Sequence, residues 1–127
     1  MFVQNLNKEQ QFALFKTAET LISCDGEITE QETGYLNFLK SQMGDLAEGE
    51  FEIAALKSLF STQKTKVSFL LELIALAHTD NDYHANEANL VTEVASLLDV
   101  DTNLLDELED WVVKQTTLLN QAEELME

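Results

Sequence analysis

Apolar residues in this 127-residue chain recur at steps of three and four, and no proline interrupts them anywhere. That period is the helical one, because residues three and four apart share a face of an α-helix while strands repeat every two. Proline would break such a helix by removing an N–H and crowding the preceding turn. Phe12, Phe15, Ala18, Leu21 and Ile22 fall on one face, which predicts a first helix from about Asn7 to Cys24, with Gly26 suited to end it in the left-handed conformation. Thr29 and Glu32 form the Thr-x-x-Glu pattern of a capping box, predicting a second helix to about Met43 that buries Tyr35, Leu36, Leu39 and Met43 and stops at Gly44. A short third helix carries Phe51, Ile53, Leu56, Leu59 and Phe60. Residues 67–77 are apolar nearly all round, as in a helix buried on most sides. A fifth helix from about Ala85 to Leu98 turns Leu90, Val91, Val94, Ala95 and Leu98 inward. Asp101 or Thr102 caps a long last helix, about 102–126. Its seam of Leu104, Leu108, Trp111, Gln115, Leu118, Ala122 and Leu125 is expected to pack within the domain, with a second copy as the other partner it suits, and the turns beyond about Leu119 overhang. The expectation is an all-α, single-domain bundle of about six helices over residues 1–127, its core at about 9–112.

Charge narrows the functional classes. Against 24 acids stand 7 bases, all lysine, for a net −17. Such a chain repels nucleic acid phosphates and anionic membranes and favours cations or a basic or helical protein partner. Without arginine it lacks the fork that clamps phosphates and carboxylates. A 45% hydrophobic content is still enough for a packed core. Cys24 is the one cysteine, so no internal disulfide forms, and a reducing, cytoplasmic setting is the expectation. MFVQNLNKEQ is not expected to act as a signal peptide, since no basic region is followed by an apolar run. The most apolar window, VSFLLELIALA, has 11 residues and holds Glu72, whereas crossing a bilayer takes about 20. No membrane insertion is expected.

Two acidic stretches stand out: CDGEITEQE at 24–32 and TDNDYHANE at 79–87. A displacement of 55 positions lays Asp25 on Asp80, Glu27 on Asp82 and Glu32 on Glu87, and also Phe15 on Leu70, Leu21 on Leu76, Leu36 on Val91 and Leu39 on Val94. This suggests an internal pseudo-twofold repeat, fading in the third pair of helices, whose axis would bring the turns together or hold them apart. The six carboxylates are hard oxygen ligands suited to Ca²⁺, Mg²⁺ or Mn²⁺, and His78 and His84 beside the second turn would admit Zn²⁺ or Mn²⁺. The competing structural role is plain: acids in the first turn of a helix complement its dipole by about 0.3–1 kcal/mol each. Asp99, Asp101 and Asn103 mimic the start of an EF-hand, but Leu104 stands where its glycine is required. Asp25 next to Cys24 raises a thiol's pKa, so a buried or half-buried cysteine is expected rather than a reactive one. With no nucleophile elbow and no evident substrate cleft, no catalytic residues are expected and the chain is read as a non-enzyme.

The DGEIT-x-x-E turn after an apolar helix, its degenerate copy and the closing LLDVDTNLLDELE resemble the tellurite-resistance TerB-like domains over about residues 9–112. The resemblance implies an all-α fold with internal pseudo-symmetry. It also implies divalent-cation binding by Asp25, Glu27, Glu32, Asp80, Asp82 and Glu87, in a stress or tellurite-resistance type of response. Three positions depart from the family pattern: Cys24 where it has Ala, Asn81 where it has Gly, and Leu98-Asp99-Val100 where it has Leu-Gly-Ile. The alternative function is a protein interaction module with no metal site.

Overall fold

The computed structural model describes residues 2–24, 28–44, 49–78 and 85–127. Among them are six α-helices and no strand: α1 Lys8–Ser23, α2 Glu30–Met43, α3 Leu56–Leu59, α4 Gln63–Ala77, α5 Ala85–Leu97 and α6 Thr102–Met126. Short 3-10 turns at Val3–Asn5 and Ile53–Ala55 precede α1 and α3.

Capping side chains set the helix starts. Asn7 and Gln10 form a reciprocal capping box at α1, and Thr29 and Glu32 form the one expected at α2. Thr62 accepts the Thr65 N–H at α4, so that helix begins a turn earlier than its apolar run. Asp101 accepts the Leu104 N–H at 2.8 Å and caps α6. Each such cap satisfies a backbone donor that the helix itself leaves open, worth about 1 kcal/mol. At the far end of α2, Gly44 adopts φ 70°, and Lys8 Nζ donates to the Met43 carbonyl at 3.1 Å, a cation at the negative end of the helix dipole.

Helix α4 is the centre, which explains why its apolar residues run round the whole helix. It touches α1, α2, α5, α6 and the N-terminal turn, and every residue from Ser68 to Ile74 is buried. Around it close Leu14, Ala18 and Leu21 of α1, Leu39 and Met43 of α2, and Leu90, Val91 and Val94 of α5. Full burial of each large aliphatic side chain contributes about 1.5–3 kcal/mol.

Three expectations need correction or limits. In α1 the core stripe is Ala13, Leu14, Thr17, Ala18, Leu21 and Ile22, while Phe12 and Phe15 lie half-buried on its flank. In α6 the buried stripe is Leu105, Leu108 and Val112, one residue round from the expected seam; Leu108 belongs to both, but Trp111, Leu118 and Leu125 are exposed. No residue of α6 beyond Val112 is buried, and Gln115, Thr116 and Leu119 line a cleft beside α2 and α4. Finally, α1 and α2 match α4 and α5 in length, whereas α3 has 4 residues and α6 has 25. Length agreement in two pairs does not make a twofold axis, and the repeat stands as a reading of the sequence alone.

Candidate functional site

Of the proposed ligands, Asp25, Glu27, Asp80, Asp82 and His84 lie outside the described residues, as does the expected helix stop at Gly26. Glu32, Glu87 and His78 lie within them.

Glu32 and Glu87 occupy equivalent places. Each sits in the first turn of its helix, and each is buried, at 2% and 1% exposure. Burying a carboxylate is costly unless fixed dipoles replace its water. For Glu32 the replacement is visible: Oε1 accepts the Thr29 N–H at 3.1 Å and the Thr29 hydroxyl at 3.2 Å, and the helix N-terminus adds its positive end. The cap uses Oε1 alone.

The helices carrying the two acidic stretches are joined across the molecule. Asn86 Nδ2 donates to the Cys24 carbonyl at 3.2 Å, and Cys24 Sγ donates weakly to the Asn86 carbonyl at 3.8 Å. Cys24 is the residue before Asp25, and Asn86 is the residue before Glu87. The C-terminal end of α1 therefore lies against the first turn of α5, across 62 positions of sequence. Nothing in the pattern singled out Asn86, because an asparagine early in a helix has no periodic signature. The Cys24 thiol is half-buried against the core, as expected.

His78 closes α4, its backbone N–H donating to the Ile74 and Ala75 carbonyls at 3.1 and 3.3 Å. The residue lines a cleft of about 300 Å³ between α2, α4 and α6, together with Tyr35, Phe38, Glu72 and Trp111. Burial pushes the imidazole below its ordinary pKa, and Glu109 on α6 opposes that shift. Among the described residues, no three His, Cys, Asp or Glu side chains converge as a metal site.

Glu72 escaped the sequence reading, although a single acid inside VSFLLELIALA was a signal for it. It is 3% exposed, and accepts the Phe2 N–H at 2.7 Å and the Tyr35 hydroxyl at 3.0 Å. It thereby ties the N-terminal turn and α2 to the central helix. Burial and the neighbouring Glu72 carboxylate hold the Tyr35 phenol far above its ordinary range.

No helix among the described residues is long and apolar enough to cross a membrane. No curated protein and no solved structure matches the chain. The model of the family described as tellurite resistance protein TerB matches residues 6–110, from the N-terminal turn into the first half of α6. That match takes in most of the chain and an all-helical body of the family's kind, and the chain belongs to the TerB family.

Proposed function

We propose that this TerB-family chain is a non-enzymatic, cytoplasmic protein that binds a divalent cation through its two acidic stretches, in a tellurite-resistance or related stress response. The observation that carries the reading is the pair of bonds between Cys24 and Asn86, because it joins the helix that leads into one acidic stretch to the helix that follows the other. The buried carboxylates of Glu32 and Glu87 at matched positions add to it. In this reading Asp25, Glu27, Asp80 and Asp82 supply oxygen ligands, and Glu32 Oε2 and Glu87 back them from the helix starts. A hard oxygen set favours Mg²⁺, Ca²⁺ or Mn²⁺; a contribution from His84 or His78 would shift the preference toward Mn²⁺ or Zn²⁺.

The test is a thermal melt of chelator-treated protein with each ion in turn. A ligand at 100 times its Kd stabilises the native state by about 2.7 kcal/mol. The double variant Glu32→Gln/Glu87→Gln keeps the shape of both side chains while removing both charges, and Asp25→Ala/Asp80→Ala removes two of the turn ligands. The expected result is an ion-specific rise in Tm that both double variants lose while remaining folded. A flat response to all four ions at millimolar concentration would leave the acids as helix caps and end the proposal.

A further inference from the structure

The cleft of about 300 Å³ between α2, α4 and α6 has aromatic walls. They come from three separate parts of the chain: Phe2 of the N-terminal segment, Tyr35 and Phe38 of α2, and Trp111 of α6. Phe38 is 55% exposed and Trp111 42%, although aromatic rings of this size are ordinarily the main contributors to buried area. Phe2 and Trp111 pack on each other at 5.8 Å between centroids, tilted by 59°, and the cleft stays open beside them. We propose that this cleft binds a small organic ammonium ion, a positively charged nitrogen carried on an apolar body.

Charge selects the sign of the ligand. Among the described residues that line the cleft there is one carboxylate, Glu72, and no lysine. Glu72 Oε1 accepts the Phe2 N–H and Oε2 accepts the Tyr35 hydroxyl, and the ligand displaces neither bond. The carboxylate acts instead as a fixed negative charge set in an apolar wall, 3% exposed, in a chain of net −17. A cleft of one sign with low-dielectric walls focuses the field and concentrates counter-ions within it, while anions are turned away.

The chemistry of the walls selects the kind of cation. Ca²⁺ and Mg²⁺ require a shell of oxygens in place of their water, which rings and aliphatic side chains such as Leu71 and Val112 do not supply. An ammonium nitrogen that carries carbon substituents is suited to both features. Its apolar body is buried against the aliphatic wall, and its charge is attracted to the negative faces of aromatic rings. Quaternary nitrogen fits best, since it leaves no N–H donor to be satisfied in an apolar site. The volume equals that of roughly ten water molecules at about 30 Å³ each, so the ligand has on the order of ten non-hydrogen atoms.

Three probes of this size that differ in charge test the proposal: phenyltrimethylammonium, its neutral isostere tert-butylbenzene, and the anion benzenesulfonate. They are titrated into the 127-residue chain with chelator present, so that metal plays no part, at about pH 8, where an ordinary histidine is neutral. Salt at about 0.15 M screens attraction from acids beyond about 8 Å. The readout is the indole N–H resonance of Trp111, the sole tryptophan. Phenyltrimethylammonium should shift it saturably with a Kd at or below about 1 mM, within reach of a ligand of about ten atoms. It should bind at least about fivefold tighter than tert-butylbenzene, and benzenesulfonate should not bind. Phe38→Ala removes an exposed ring and should raise the Kd about fivefold, in keeping with one cation–π contact. Leu118→Ala alters an equally exposed residue of α6 that does not line the cleft and should leave the Kd unchanged. Far-ultraviolet circular dichroism establishes that both variants fold. The absence of a saturable shift up to about 10 mM, ten times the Kd bound set above, overturns the proposal. So does equal affinity for tert-butylbenzene, binding of benzenesulfonate, or an affinity for the ammonium ion that Phe38→Ala leaves intact.

Discussion

Replacing Asp99 by glycine should make the protein more stable, although it deletes a side chain. Asp99 has φ 59°, the one positive value on a non-glycine residue among those described. It follows α5 in a Schellman arrangement, in which its own N–H donates to the Ser96 carbonyl at 3.1 Å and the Val100 N–H donates to the Ala95 carbonyl at 2.9 Å. Val100, buried, completes the motif with its apolar contact. The left-handed conformation costs an L-residue about 1–2 kcal/mol, with Asp near the lower end. A carboxylate at a helix C-terminus also opposes the dipole, by about 0.3 kcal/mol or more at an exposed site. Against this, glycine loosens the unfolded chain by about 0.4–1 kcal/mol. The balance for Asp99→Gly is a gain of about 0.3–0.9 kcal/mol, or roughly 1–4 °C in Tm for a domain of this size. Urea unfolding at neutral pH, with an unchanged m-value, measures it. Asp99→Ala separates the causes, since it removes the charge but keeps the left-handed backbone, which alanine tolerates less well than aspartate, and it should be no more stable than the parent. A neutral or destabilised Asp99→Gly, or an Asp99→Ala equally stabilised, would refute the backbone argument. The same argument accounts for the glycine that TerB-like sequences carry in this connection.

Two further predictions come from the buried polar groups. Tyr35→Phe should cost about 1.5 kcal/mol or more at pH 7, since a hydrogen bond to a buried carboxylate is lost. Because the folded phenol resists ionisation, the parent should also lose stability as pH rises above about 10, where the unfolded tyrosine ionises. That alkaline loss should be smaller in Tyr35→Phe, and equal pH profiles in urea titrations would count against it. His78 has a lowered pKa, so the unfolded chain takes up its proton first on acidification. Stability should therefore fall as pH drops below about 6.5 and level off once the folded imidazole is protonated, a loss that His78→Asn should lack. An NMR titration placing His78 at or above the ordinary histidine value would contradict this, and Glu109→Gln should move the value further down.

The helix start beside the first acidic stretch was legible because it is local chemistry. The Thr29–Glu32 box needs only two residues at the right spacing, and it forms as the spacing predicts. The inward face of α5 was legible for the same reason, as every residue assigned to it is buried. That the end of α1 meets the start of α5 was not, because it rests on Asn86 meeting Cys24 across 62 positions. Glu72 read as a blemish in an apolar run, since its partners Phe2 and Tyr35 come from segments 70 and 37 residues away.

The pattern of apolar residues, caps and charges was enough by itself to determine that this chain is an all-helical bundle, where most of its helices begin and end, and that it is strongly acidic. Those properties follow from interactions within one or two helical turns and from composition. Tertiary structure decided which stripe of each helix is buried. Periodicity places residues on a common face, but how far the neighbouring body extends settles which face is covered and for what length. In α6 docking against α4 used Leu105, Leu108 and Val112 and left Trp111, Leu118 and Leu125 to the surface. A helix of 25 residues reaches about 37 Å, and that its last buried residue is Val112 is a property of the packed molecule.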